Sequence, residues 1–161
     1  MSVLDRELIG NADFHDSYRV RLSRNDLSII DIFFGIFAHL PFWSKIVLIV
    51  CNKAASLLGL EAPSAADILH MVVRDRYAVG EKIGVWPIFF LNEDELVAGR
   101  DNKHMDFRLS VLKMPDGDAT SVVITTICTV RNVFGRCYLS AIIPFHKRGA
   151  QKLMLNAAGR L

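Results

Sequence analysis

Between residues 13 and 22 the chain alternates. Phe14, Asp16, Tyr18, Val20 and Leu22 fall on one side, and His15, Ser17, Arg19 and Arg21 on the other. A two-residue period predicts a half-buried strand. The period then changes. Leu27, Ile30, Phe34 and Phe37 recur at helical spacing and predict a helix over 27–38, with Ser23 or Asn25 as its cap. Pro41 is placed to open a second helix, where its missing N–H costs nothing, and Gly59 to stop it. A short helix is predicted over 65–73 with Ser64 as cap, followed by a turn at 77–80.

Strands are predicted over 82–92, 95–101, 104–114 and 119–132. They are separated by Asn92-Glu93-Asp94, Asp101-Asn102-Lys103 and Pro115-Asp116-Gly117-Asp118. Such short turns join antiparallel neighbours into a meander. From about residue 134 to 158, Tyr138, Leu139, Ile142, Ile143, His146, Leu153 and Met154 lie on one broad stripe of a long helix, which Pro144 is expected to kink or split. Strands and helices are segregated along the chain. The fold class this predicts is α+β: a curved antiparallel sheet wrapped around the C-terminal helix, with two short helices after the first strand.

Composition narrows the field of functions. The chain has 161 residues, 52% hydrophobic and 22% charged, which suits one globular domain over 1–161 and excludes a disordered protein. The formal net charge of +2 is too balanced to predict a nucleic-acid partner. Cys51, Cys128 and Cys137 include no C-x-x-C pair, so neither a disulfide framework nor a zinc site is expected. The residues after Met1 lack a basic stretch followed by an apolar one, and a cytoplasmic protein is expected. The very apolar segment 29–60 is broken by Asp31, His39, Pro41, Lys45 and Lys53, so no membrane span is expected.

Three sets of residues are candidates for chemistry. Asp16 shares a side with the apolar residues of the first strand, and an inward carboxylate must be paired. With Tyr18, Trp43, Tyr138 and His146 it is a candidate polar anchor in a ligand site; Tyr138 and His146 share the inward stripe of the last helix. His104, Asp106 and Arg108 share one side of a strand. They could form an Asp–Arg ladder or a polar recognition patch, and lack the third ligand a metal needs. In 82–92 both sides are apolar. One side is core, and the other, with Trp86, Ile88 and Phe90, is expected to be covered by a further element, a ligand or a partner subunit; Pro87 favours an edge position, which suggests a homodimer. His146-Lys147-Arg148 with Lys152 reads as a solvated basic patch. No G-x-S-x-G, P-loop or dinucleotide-binding glycine motif is present, and no cofactor is expected.

The order of elements is similar to the helix-grip fold of the START and Bet v 1-like superfamily. The sequence itself resembles a bacterial family, domain of unknown function 2867. The stretches that carry this resemblance are Asn11-Ala12-Asp13-Phe14-His15-Asp16-Ser17-Tyr18, Leu40-Pro41-Phe42-Trp43, Leu57-Leu58-Gly59-Leu60, Asn102-Lys103-His104-Met105-Asp106-Phe107-Arg108 and the run from Gly135 to His146. The resemblance implies a cavity between sheet and helix and brings no catalytic residues. Three readings follow: a module binding a small hydrophobic molecule in that cavity; an enzyme of the cyclase, dehydratase or hydrolase kind using Asp16, Tyr138 and His146; and a homodimeric structural protein.

Overall fold

A computed structural model describes residues 2–4, 9–38, 53, 56, 73–74 and 76–161. The helix expected over 41–58, most of the one expected over 65–73, and with them Trp43 and Cys51, lie outside the described residues.

The first strand, β1, spans Phe14–Leu22, and its side chains alternate as the period predicts: His15, Ser17, Arg19 and Arg21 are exposed while Leu22 is buried. Helix α1 spans Ile29–Phe37 and buries Ile32, Phe33 and Ile36. Its cap is Ser28 rather than Ser23 or Asn25. Ser28 Oγ accepts from the Asp31 amide, and the Asp31 carboxylate accepts from the Ser28 amide, each at 3.1 Å. Ser23 also has an acid three residues on, but both oxygens of Asp26 are taken by the Arg24 guanidinium at 3.0 and 2.7 Å.

The segment expected as one strand over 82–92 is a small hairpin. β2, Lys82–Ile83, pairs with β3, Trp86–Leu91, across Gly84-Val85. Gly84 has φ +59°, and a glycine in that half of the map at the first turn position is what a two-residue type II′ hairpin requires. β4 spans Glu95–Asp101, β5 Met105–Asp116 and β6 Ala119–Val130. Together they form a six-stranded antiparallel sheet in the order β1-β6-β5-β4-β3-β2, so the meander is as expected and the first strand closes against the last. β3, with Pro87, sits one place from the edge, beside the two-residue β2.

Helix α2, Val133–Ala158, begins at Asn132, whose side chain accepts from the Gly135 amide. It runs through Pro144 without being split. The result is an α+β fold, a curved sheet with a long C-terminal helix, consistent with a helix-grip-like arrangement.

The core lies on the inner side of the sheet, where α1 and α2 pack. Phe33, Ile36, Ile88, Leu96, Leu109, Val111, Val122 and Met154 are among its buried members. The expected outer face of Trp86, Ile88 and Phe90 does not exist as one face. Ile88 is 2% exposed in the chain's own core, and Trp86 packs edge-on against Phe33 and Phe37 of α1. Phe90 instead joins Val97, Ile127 and Leu4 in a separate cluster. The physical cause is a β-bulge. The pairing steps from Ile88 with Ala98 to Phe90 with Val97, leaving Phe89 without a partner and reversing the side on which later residues point. The second apolar side of this strand is therefore covered from within the chain, by Leu4, Ile9 and Ala12.

Candidate functional site

The inner face of β1 and the middle of α2 meet through polar groups. Asp16 Oδ1 lies 3.3 Å from His146 Nε2, and Asp16 Oδ2 accepts from the Tyr18 hydroxyl at 3.0 Å. The placement follows from the elements. Alternation sends Asp16 and Tyr18 to the same side of β1, and His146 lies on the side of α2 turned to that strand. The His146 ring meets the Phe14 ring edge-on at 5.7 Å. Side-chain exposure is 12% for Asp16 and 27% for His146, so the imidazole remains within reach of a small molecule while its partner carboxylate is nearly covered.

Burial, then the hydrogen bond to Asp16 and its charge, push the Tyr18 hydroxyl up to about 12. Cys128, below the same carboxylate, is likewise pushed up to about 12, mainly by burial. Neither group supplies an anionic nucleophile near neutral pH. The chemistry this trio offers is hydrogen bonding to a polar group of a bound molecule, or proton exchange at His146 with Asp16 as its orienting partner.

Tyr138 is drawn into the neighbouring cluster of Met105, Cys128 and Leu139, under the start of β1. Asp16, Tyr18 and His146 are thus brought together, Tyr138 stands in the wall beside them, and Trp43 falls outside the described residues.

His104, Asp106 and Arg108 do not make one site. Asp106 accepts from Arg131 through Nε at 2.9 Å and a terminal nitrogen at 2.7 Å. Arg108 forks onto Asp101, whose carboxyl this bond holds below the usual range, and its guanidinium lies 3.7 Å above the Phe89 ring. This is the Asp–Arg ladder on the outer side of the sheet. His104 is buried and bonds Asn132 Oδ1 at 2.9 Å, tying the turn before β5 to the start of α2. His104 Nε2 and Asp106 Oδ1 are buried with no hydrogen-bond partner among the described residues. Among the same residues no group of three His, Cys, Asp or Glu side chains is placed to hold a metal ion.

Sequence reasoning missed Glu95. It follows the acidic turn Asn92-Glu93-Asp94, which reads as solvated, yet it is 2% exposed. Its carboxylate accepts from Ser2 Oγ at 2.6 Å, the Val3 amide at 2.8 Å and Ser110 Oγ at 2.6 Å. The signal available was its position as first residue of a strand whose next three residues, Leu96, Val97 and Ala98, are apolar.

The family described as a protein of unknown function, DUF2867, matches residues 8–152. The chain belongs to the DUF2867 family. That match spans β1, α1, the whole meander and α2 as far as residue 152, and so includes Asp16, Tyr18 and His146. No curated protein matches the chain. No helix among the described residues is long and apolar enough to cross a membrane.

Proposed function

We propose that this DUF2867 chain binds a small, mainly apolar molecule between the inner face of the sheet and α2, and orients it through one polar group held at His146 and Asp16. The observation that carries this reading is the Asp16–His146 contact: a polar pair set on an otherwise apolar side, with the imidazole still partly accessible. A buried polar pair in an apolar wall is costly unless it is satisfied, and a few such groups among apolar walls give ligand sites their orientation and specificity.

The test is native mass spectrometry of the purified protein, together with titration of 1-anilinonaphthalene-8-sulfonate, an apolar probe with one anionic group. A retained small molecule, or saturable probe binding weakened at least about tenfold by His146→Ala, is the expected result, since a hydrogen bond to a charged group contributes about 1.5–3 kcal/mol. No retained molecule and probe binding unaffected by the substitution would overturn it.

A second reading is supported by the same contact. The Asp16–His146 pair is also the arrangement of an oriented general base, so an enzyme acting on the bound molecule would use His146 for proton transfer. Loss of turnover in His146→Gln with binding retained separates it from binding alone. A homodimer through Trp86, Ile88 and Phe90 is not carried forward, because two of those side chains pack in the chain's own core.

A further inference from the structure

A carboxylate only accepts hydrogen bonds, and this decides where the protons around Asp16 lie. Its Oδ2 takes the Tyr18 hydroxyl hydrogen at 3.0 Å, and its Oδ1 faces His146 Nε2 at 3.3 Å. The hydrogen of the second contact is therefore on Nε2, since a bare nitrogen would be repelled by the oxygen it faces. In a neutral imidazole the other ring nitrogen, Nδ1, is then bare. Nδ1 has no hydrogen-bond partner among the described residues, and the side chain is 27% exposed. The Tyr18 hydroxyl has given its hydrogen to Asp16 and has only oxygen lone pairs left. Tyr18 and Cys128 are both pushed up to about 12, so neither is an anion near neutral pH. Among the described residues no Lys or Arg pairs with Asp16; Arg136, on the same helix as His146, is turned to Asp13 at 3.6 Å. What this trio still has to offer is thus acceptors, beside one negative charge.

We propose that the polar group held at Asp16, Tyr18 and His146 is an uncharged hydrogen-bond donor, so that the bound molecule is an apolar alcohol or phenol rather than a carboxylic acid or a phosphate ester. This rests on the binding function proposed above and names the class of molecule. A hydroxyl gives its hydrogen to His146 Nδ1 and leaves the Asp16 bonds as they are. An acid anion brings acceptors to acceptors, and its charge meets that of Asp16 with no cation between them. An ammonium group suits the charge, but Asp16 already has two donors, and stripping water from a cation costs far more than stripping it from a hydroxyl. An ether of the same shape leaves Nδ1 without a donor. A site that bonds a hydroxyl rejects the analogue lacking it in this way.

Two measurements on the full chain test it. Nitrogen NMR of the isotopically labelled protein at about pH 8, where an ordinary imidazole is neutral, reads the His146 tautomer without any ligand. Nε2 protonated and Nδ1 bare is the expected result; a proton on Nδ1 would overturn the proposal. Calorimetric titration at the same pH then compares 2-naphthol with its methyl ether, with 2-naphthoate and with 2-naphthylmethylamine. 2-Naphthol should bind at least about fivefold tighter than the ether and at least about tenfold tighter than either charged compound. His146→Phe keeps a ring and removes both nitrogens. It should cut the preference over the ether to less than about twofold while the ether keeps its affinity, which also shows that the site is intact. If that variant misfolds, the tautomer and the wild-type series decide alone. Equal affinity for naphthol and ether, or tighter binding of the acid or the amine, would overturn the proposal and leave the binding function standing. Binding of none of the four would count against the binding function itself and take the proposal with it.

Discussion

Asp16 accepts from two side chains at once, and that makes it the residue on which the site turns. The carboxylate is nearly covered, with Tyr18 on one oxygen and His146 on the other. Removing Asp16 leaves both partners under-satisfied, whereas removing His146 after Asp16 is gone takes away less. Asp16→Ala and His146→Ala should therefore be non-additive, with the double variant costing about 0.5–3 kcal/mol less than the sum of the singles. Urea denaturation of the four proteins measures this, and strict additivity would mean the 3.3 Å contact contributes nothing. Tyr18 supplies an independent check. Its hydroxyl ionises at about 12 in the folded chain and near the ordinary value of about 10 once unfolded. A pKa raised on folding means that the stability tied to it is fully present below about pH 10 and is lost as pH rises through 12. Tyr18→Phe should thus narrow the alkaline fall in melting temperature. Absorbance titration at alkaline pH should lose the tyrosine step near pH 12 in the same variant. An unchanged titration curve would rule out the burial and bonding assigned here to Tyr18.

The elements show where close approach of backbone matters. A Cβ on Gly99 of β4 would sit 2.1 Å from the Phe107 carbonyl oxygen, and one on Gly135 of α2 would sit 2.2 Å from the His104 carbonyl oxygen. Both obstacles are backbone atoms that cannot swing aside. Gly99→Ala and Gly135→Ala should each cost more than about 2 kcal/mol, whereas Gly149→Ala in the same helix, with open space around the added Cβ, should be neutral or stabilising. Thermal melts of the three variants decide it.

The same elements show what the sequence makes legible. The face of β1 follows from strict alternation, and with it the inward placement of Asp16; the inward turn of His146 follows from the helical stripe. Where alternation breaks, the reading breaks. The bulge at Phe89 is invisible to a two-residue period, because the apolar residues on both sides fit a covered strand equally well. The hairpin at Gly84-Val85 is masked because its flanks are apolar too. The burial of Glu95 depends on Ser2 and Val3, more than ninety positions away, and no local pattern encodes such a contact. The cap of α1 is Ser28 because the helix starts at Ile29, two residues beyond Leu27, whose burial in the core makes it read as part of the helical stripe.

At the scale of the whole molecule, the sheet separates two environments. Its inner side holds the core and the Asp16–His146 pair; its outer side carries the Asp–Arg ladder and the N-terminal segment held at Glu95. Among the described residues, Ser2, Val3 and Leu4 are held by the two bonds to Glu95 and the packing of Leu4 on Val97 and Ile127. Glu95→Ala removes the acceptor for Ser2 Oγ and the Val3 amide and leaves the Ser110 hydroxyl buried beside a void. It should cost about 1–3 kcal/mol, and hydrogen exchange at Val3 and Leu4 should rise to the rate of an open chain while β5 and β6 keep their protection. Those two strands lie inside the sheet, each paired along both edges, so their exchange reports global opening. If exchange instead rose equally in β5, β6 and the N-terminal residues, Glu95 would be a support of the whole core rather than a clasp for one segment. The distinction bears on function, because a clasp that opens by itself uncovers Phe90, Val97 and Ile127 on the outer side while leaving the inner site and α2 in place.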